Sequence, residues 1–193
     1  AYPFFLELFD DYEKNLLSKA EIIEILELLS SYVFRRWVVG IPSNALNTTF
    51  STLTKGIDKQ DYLNSLKAKL VLYDGYQKYP EDDEFSQMFM IKDMYTTRNI
   101  KYILSKFENL DHKEQFSVDD YTIEHIMPQT LTSIWIEALG DNWKEIHSKY
   151  LHTIGNLTLT GYNPEYSNRS FREKRDYSAG GFKKSHLFLN QKI

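Results

Sequence analysis

The chain has 193 residues, 42 % of them apolar and 26 % charged, with no cysteine and a net charge of −4 at pH 7. Those values suit a soluble globular protein with a real core; they exclude disulfides and thiolate metal sites, and no apolar run reaches the ~18–20 residues a membrane span needs. The chain opens at Ala1 without a Met, on an apolar segment flanked by acids where a signal peptide carries bases. It therefore reads as a piece of a longer cytoplasmic protein, bacterial or archaeal, with no membrane partner. From Glu165 to Ile193 seven bases stand against three acids, a balance of +4 that leaves −8 for the remainder. A basic segment on an acidic body points to nucleic acid about as well as to a solvated charged tail.

The first 115 residues predict a helical layer, residues 1–115. "SKAEIIEILELLSSYVFRRWVV" opens with Ser18 and Glu21 in capping-box spacing, and Ile22, Ile25, Leu26, Leu29 and Val33 then recur at three- and four-residue steps. Asn44 is placed to cap a short helix through Leu53, Asp58 a longer one through Tyr73, and Thr97 another over "RNIKYILSKFENL". The adjacent Arg35 and Arg36, set in an apolar helix, are expected in structural ion pairs or against a part of the protein outside this chain. The character changes near Gln115, and residues 116–193 form a second region. "FSVDDYTIEHIMPQ" reads as a strand ended by Pro128, "TLTSIWIEALG" and "NWKEIHSKYLH" as helices, and "TIGNLTLT" as a half-buried strand. "GYNPEYSN" is turn chemistry and "RSFREKRDY" a short basic helix. The fold class expected is mainly α with a small α+β part.

Glu124 and His125 stand side by side inside an apolar run. If the two strands pair antiparallel and the basic helix folds across them, His125, Asn156 and either Asn163 or Asn168 come to one small pocket. An acid, an imidazole and a carboxamide are what metal-assisted phosphodiester hydrolysis requires. Glu124 and an asparagine oxygen supply hard donors for a divalent cation, and a neutral His125 takes a proton from the attacking water. Neighbours on a strand point to opposite faces, so the pair converges only if the strand twists or ends there. Each residue also has a plain structural role to set against this: His125 as a core histidine, Asn156 as a turn residue, Asn168 as a helix cap. His147 and His152, five apart, suggest zinc with His125, but no cysteine or fourth ligand accompanies them.

"IEHIMPQ" resembles the acid-His-Ile-x-Pro segment of HNH (His-Me finger, ββα-metal) nucleases. Together with "HTIGNLTLTGYNPEYSNRSFREKR", separated from it by an insertion carrying a Trp and a Gly, it resembles the C-terminal domain of GmrSD-type, modification-dependent (type IV) restriction endonucleases. The likeness covers most of the chain and is strongest over 121–176. It implies a ββα-metal nuclease motif whose two strands are separated by a helical insertion. On the matching positions, His125 is the general base and Glu124 the metal-binding acid, a Glu where many relatives carry Asp. Asn156 is the middle letter of the motif, bracing the loop or orienting the imidazole. Asn168 falls on the last letter, at the metal, with Asn163 its rival; Arg169, Arg172, Lys174 and Arg175 face DNA phosphates. The cofactor implied is Mg²⁺, with Mn²⁺ an acceptable substitute. The partners implied are DNA and an N-terminal modification-sensing, nucleotide-hydrolysing domain. The alternative is a catalytically inactive helical module that binds DNA or a protein.

Overall fold

The periodicities of the N-terminal region appear as helices in the computed structural model, which describes residues 1–110 and 112–193. The chain divides into two compact units, Ala1–Phe89 and Met90–Ile193. The division lies ahead of the composition change at 115 because packing, not composition, decides which unit a helix joins.

In the first unit, α1 (Tyr2–Glu13), α2 (Lys19–Val38), α3 (Ala45–Thr52) and α4 (Tyr62–Val71) precede α5 (Asp82–Ile91). Ser18 and Glu21 cap α2 reciprocally, Ser18 N–H donating to the Glu21 carboxylate at 2.8 Å and Glu21 N–H to Ser18 Oγ at 3.2 Å. The apolar stripe of α2 buries Ile25, Leu29 and Tyr32 with Phe4 and Leu8 of α1 and Leu66 and Leu70 of α4. Asn44 caps α3 as expected. Helix α4 begins at Tyr62 rather than behind Asp58. Asp58 is held in a turn instead, its carboxylate accepting from Gln60 N–H and its own N–H donating to Ser65 Oγ. Arg35 pairs with Asp82, while the buried Arg36 donates to the carbonyls of Tyr76 and Pro42. Both arginines are thus structural.

The second unit holds α6 (Ile100–Glu108), β1 (Thr122–His125), α7 (Ser133–Leu139), α8 (Trp143–Tyr150), β2 (Leu157–Thr160), α9 (Asn163–Tyr166), α10 (Phe171–Asp176) and α11 (Phe188–Gln191). β1 and β2 pair antiparallel, with Thr122 opposite Thr160 and His125 opposite Leu157. The chain is thus mainly helical with one small two-stranded sheet. Gly140, at φ +73°, ends α7 in a conformation that favours glycine. Thr97 accepts from Asn99 N–H in the approach to α6, two residues before the N-cap position, which Asn99 holds. The stretch read as turn contains α9, started by Pro164 at its first turn and stopped at Ser167, φ +42°.

β2 is buried on both faces, not half-buried as its alternation predicts. Its threonines are covered because α11 lies against the sheet: Thr158 Oγ1 donates to Asn190 Oδ1 at 2.6 Å, and Asn190 Nδ2 donates to the Leu159 carbonyl at 3.0 Å. α11 is held in turn by the buried Glu108 of α6, whose two carboxylate oxygens accept from the N–H groups of Phe188 and Leu189 at 2.8 and 2.9 Å. This bidentate cap explains why α6 belongs with the C-terminal unit. Among the described residues no helix is long and apolar enough to cross a membrane. Replacing Glu108 by Ala leaves both amides uncapped and is expected to cost roughly 1–3 kcal/mol. The loss should appear as a lower urea midpoint and as faster hydrogen exchange at Phe188 and Leu189, with α2 unaffected.

Candidate active site

The site forms where β1 ends. Glu124 lies opposite Thr158 and His125 opposite Leu157, and the ladder continues one step further through Ile126 N–H to the Asn156 carbonyl at 2.9 Å. Both ionisable side chains are buried, Glu124 at 4 % exposure and His125 at 6 %. Strand alternation sends them to different neighbours. The Glu124 side chain meets α10, and the His125 imidazole meets two rings from outside the sheet.

On the Glu124 side stands Lys174, fully buried at 0 % exposure. Its ammonium donates to Glu124 Oε1 at 2.6 Å and to the carbonyls of His125 and Ile126 at 2.8 and 3.2 Å. Three acceptors match the three protons of the ammonium, which is how such a charge survives out of water. Burial pushes the Glu124 carboxyl above its ordinary range and the Lys174 ammonium below its own; the contact between them opposes both shifts. Lys174 is therefore turned away from solvent, where a phosphate contact of the kind the resemblance implied would have to be made. α10 is amphipathic, and the lysine lies on its inward face.

On the other side, His125 Nε2 lies 3.1 Å from Nδ1 of His152. Tyr95 stacks on His152, ring centroids 5.2 Å apart and planes 10° from parallel, and meets His125 edge-on at 4.4 Å. Burial, followed by the neighbouring His152, Lys174 and His147, lowers the pKa of His125 to about 4, against a smaller opposing effect of Asp93. The imidazole is neutral at pH 7. His147 is occupied elsewhere, its Nε2 lying 3.0 Å from the Pro128 carbonyl. Among the described residues no three His, Cys, Asp or Glu side chains gather as a metal cluster, so the zinc-like histidine spacing does not close.

Asn156, 6 % exposed, uses its amide on the backbone: Oδ1 accepts from Met127 N–H at 2.7 Å, while Nδ2 donates to the carbonyls of Met127 and Leu151 at 2.9 and 2.8 Å. Of the two tasks expected of it, it braces the loop and does not touch the imidazole. Asn163 Nδ2 donates to the Ile123 carbonyl at 2.7 Å, which sets this side chain against β1, one residue before Glu124. Asn168 is exposed and is not the cap of α10, a position that Ser170 holds in a capping box with Glu173. Arg169 and Arg172 are exposed, the former over the Tyr177 ring at 5.2 Å. Arg175, partly exposed, makes two hydrogen bonds of 3.0 and 2.8 Å to Asp176.

The sequence attached no role to His152 beyond a zinc-like spacing, or to Tyr95. The signal for His152 was its place four residues before Asn156, on the turn that leads into β2. Trp135 of α7 donates from its indole to the Arg169 carbonyl at 2.9 Å, so the insertion between the strands also fixes the approach to α10. Beside the site runs a largely apolar cleft of about 600 Å³, lined by Ile126, Met127, Trp135, Ile154, Asn156 and Phe171 among others. A family model described as the C-terminal domain of GmrSD restriction endonucleases matches residues 79–193, more than half of the chain, and the match takes in every residue of this site. No curated protein and no solved structure matches the chain.

Replacing Lys174 by Met strands a buried carboxylate and is expected to cost roughly 3–5 kcal/mol in urea unfolding, most of it recovered when Glu124 is also made Leu. The pH dependence follows from His125. Its folded pKa, about 4, lies below the unfolded value of about 6.5, so between these values the unfolded chain binds the extra proton. Stability falls as pH drops through that window, by at most ~1.4 kcal/mol per pH unit from this residue. The slope should be shallower in His125→Gln, compared by urea unfolding across the window.

Proposed function

Because this chain belongs to the family of GmrSD restriction-endonuclease C-terminal domains, we propose that it hydrolyses phosphodiester bonds of DNA, with His125 as the general base. One observation carries the proposal: the final residue of β1 is a buried imidazole, packed edge-on against Tyr95 and hydrogen-bonded to His152, on a backbone braced by Asn156 and Lys174. A neutral imidazole accepts a proton from water, and a rigid one does so without reorganising. In this proposal β1, β2 and α10 form a ββα-metal (HNH) unit, with α7 and α8 as the insertion between its strands.

The donor types, a carboxylate and amide oxygens, are those that an oxygen-liganded divalent cation such as Mg²⁺ or Mn²⁺ takes. Glu124 makes its hydrogen bond through Oε1, and the side-chain oxygens of Asn163 and Asn168 accept none among the described residues. Glu124 with Asn168 or Asn163 would hold the ion. When bound, such an ion offsets charge developing on the leaving oxygen. The chain's own residues do the rest: His125 takes the proton, Lys174 fixes the backbone that carries it, and Arg169 and Arg172 meet phosphates without reading sequence. A modification-sensing, nucleotide-hydrolysing segment of the parent protein would direct the domain to its DNA. A second function, a binding module without catalysis, is favoured by one feature, the engagement of Glu124 by Lys174.

Nicking of supercoiled plasmid with Mg²⁺ or Mn²⁺ decides between them. The expected outcome is cutting by the native chain that EDTA abolishes and that His125→Ala lowers by at least roughly 100-fold. Cutting that survives His125→Ala sinks the base assignment, and binding without cutting supports the module.

A further inference from the structure

A histidine acts as a base only through a nitrogen that carries no proton, and a neutral imidazole has one such nitrogen. We propose that His152 is a positioning residue that fixes the tautomer of His125: Nδ1 of His152 accepts the proton on Nε2 of His125, which leaves Nδ1 of His125 as the basic nitrogen. The inference rests on the assignment of His125 as the base.

Geometry comes first. The two ring nitrogens lie 3.1 Å apart, a hydrogen-bond distance that requires one proton between them. Two neutral arrangements satisfy it. In one, His125 donates and both rings are protonated on Nε2, the tautomer a free neutral imidazole side chain prefers. In the other, His152 donates and both rings carry the proton on Nδ1, so each ring takes its less favoured form. The first arrangement leaves the free N–H on His152, which is only partly buried and open to water, whereas the second places it on Nδ1 of the buried His125, which no hydrogen bond among the described residues reaches. An unprotonated Nδ1 there is the base the reaction needs.

His152 is held for this task through its backbone and through one face of its ring. Its carbonyl accepts from Met94 N–H at 2.8 Å, and the carbonyl before it, at Leu151, accepts from Asn156 Nδ2 at 2.8 Å. Tyr95 lies flat on its ring and edge-on to His125, so neither imidazole turns without losing an aromatic contact. Asn156 therefore serves the base indirectly: the same amide that braces Met127 anchors the turn presenting His152. A partner that fixes which nitrogen of an imidazole is protonated is a second-layer device, and losing one typically costs roughly 10- to 100-fold in activity.

The test is nitrogen NMR on the whole chain labelled at histidine, beside nicking kinetics of His152→Ala and His152→Asn. The backbone bonds of His152 survive both substitutions, and the asparagine carbonyl stands where Nδ1 stood. The expected spectrum shows the proton on Nε2 of His125, with a nitrogen–nitrogen coupling across the bond to His152. The expected kinetics are a fall of roughly 10- to 100-fold in kcat for His152→Ala with KM little changed, and substantial recovery in His152→Asn. A proton on Nδ1 of His125, an absent coupling, or full kcat in His152→Ala overturns the inference. The spectrum reads the tautomer whether or not the chain cuts, so failure of the base assignment, seen as cutting by His125→Ala, is told apart from failure here.

Discussion

A fully buried ammonium has to find its partners inside the fold, and Lys174 finds three of them around the end of one strand. That requirement sets where α10 lies, because the helix must bring the charge within reach of Glu124 and of two successive carbonyls. It also holds the backbone of His125 and Ile126 in the conformation those carbonyls need. The desolvation cost of a buried ion pair is large, so such a pair adds little net stability over apolar packing but penalises every arrangement in which either partner is left alone. Its contribution is to geometry. The site stands where it does because an alternative docking of α10 would strand two charges.

Strand geometry then divides the labour between neighbours. Glu124 and His125 are consecutive, yet alternation places one in a charged, hydrogen-bonded setting and the other among rings. The first environment keeps a carboxylate compensated; the second keeps an imidazole uncharged. Two adjacent ionisable groups are thereby held in different states, a condition that acid–base chemistry depends on. The insertion between the strands is what closes the second environment. α7 and α8 carry the chain away from β1 and return it at His152 and Asn156, so one of the two rings against His125 comes from the far end of that excursion and the other, Tyr95, from ahead of the strand.

Much of the fold was legible in the residues, for identifiable reasons. The capping box at Ser18, the stripe of α2, the stop at Gly140 and the antiparallel partnership of the two strands all depend on local chemistry or short periods. Most of the departures come from a partner distant in sequence, and one from a competing local turn. Alternation made β2 half-buried, until α11 covered its threonines through Asn190. Asp58 looked like a cap, but Ser65 and Gln60 hold it in a turn. The change of composition near Gln115 marked where strand-forming residues begin, while Glu108 had already committed α6 to the C-terminal unit.

The candidate site divides along the same line. By itself the sequence determined the pairing of Glu124 with His125, the strand that carries them, the asparagine that closes the loop and the family to which the chain belongs, because motif residues are fixed by short spacings that survive in one dimension. Only the tertiary structure decided that Lys174 turns inward while Arg169 and Arg172 stay in solvent, that Arg175 pairs with Asp176, and that His152 and Tyr95 enclose the imidazole. Charge and residue type are properties of the chain. Which charge is buried, and which ring faces which nitrogen, depends on the face each element presents, and that is settled only when the elements pack.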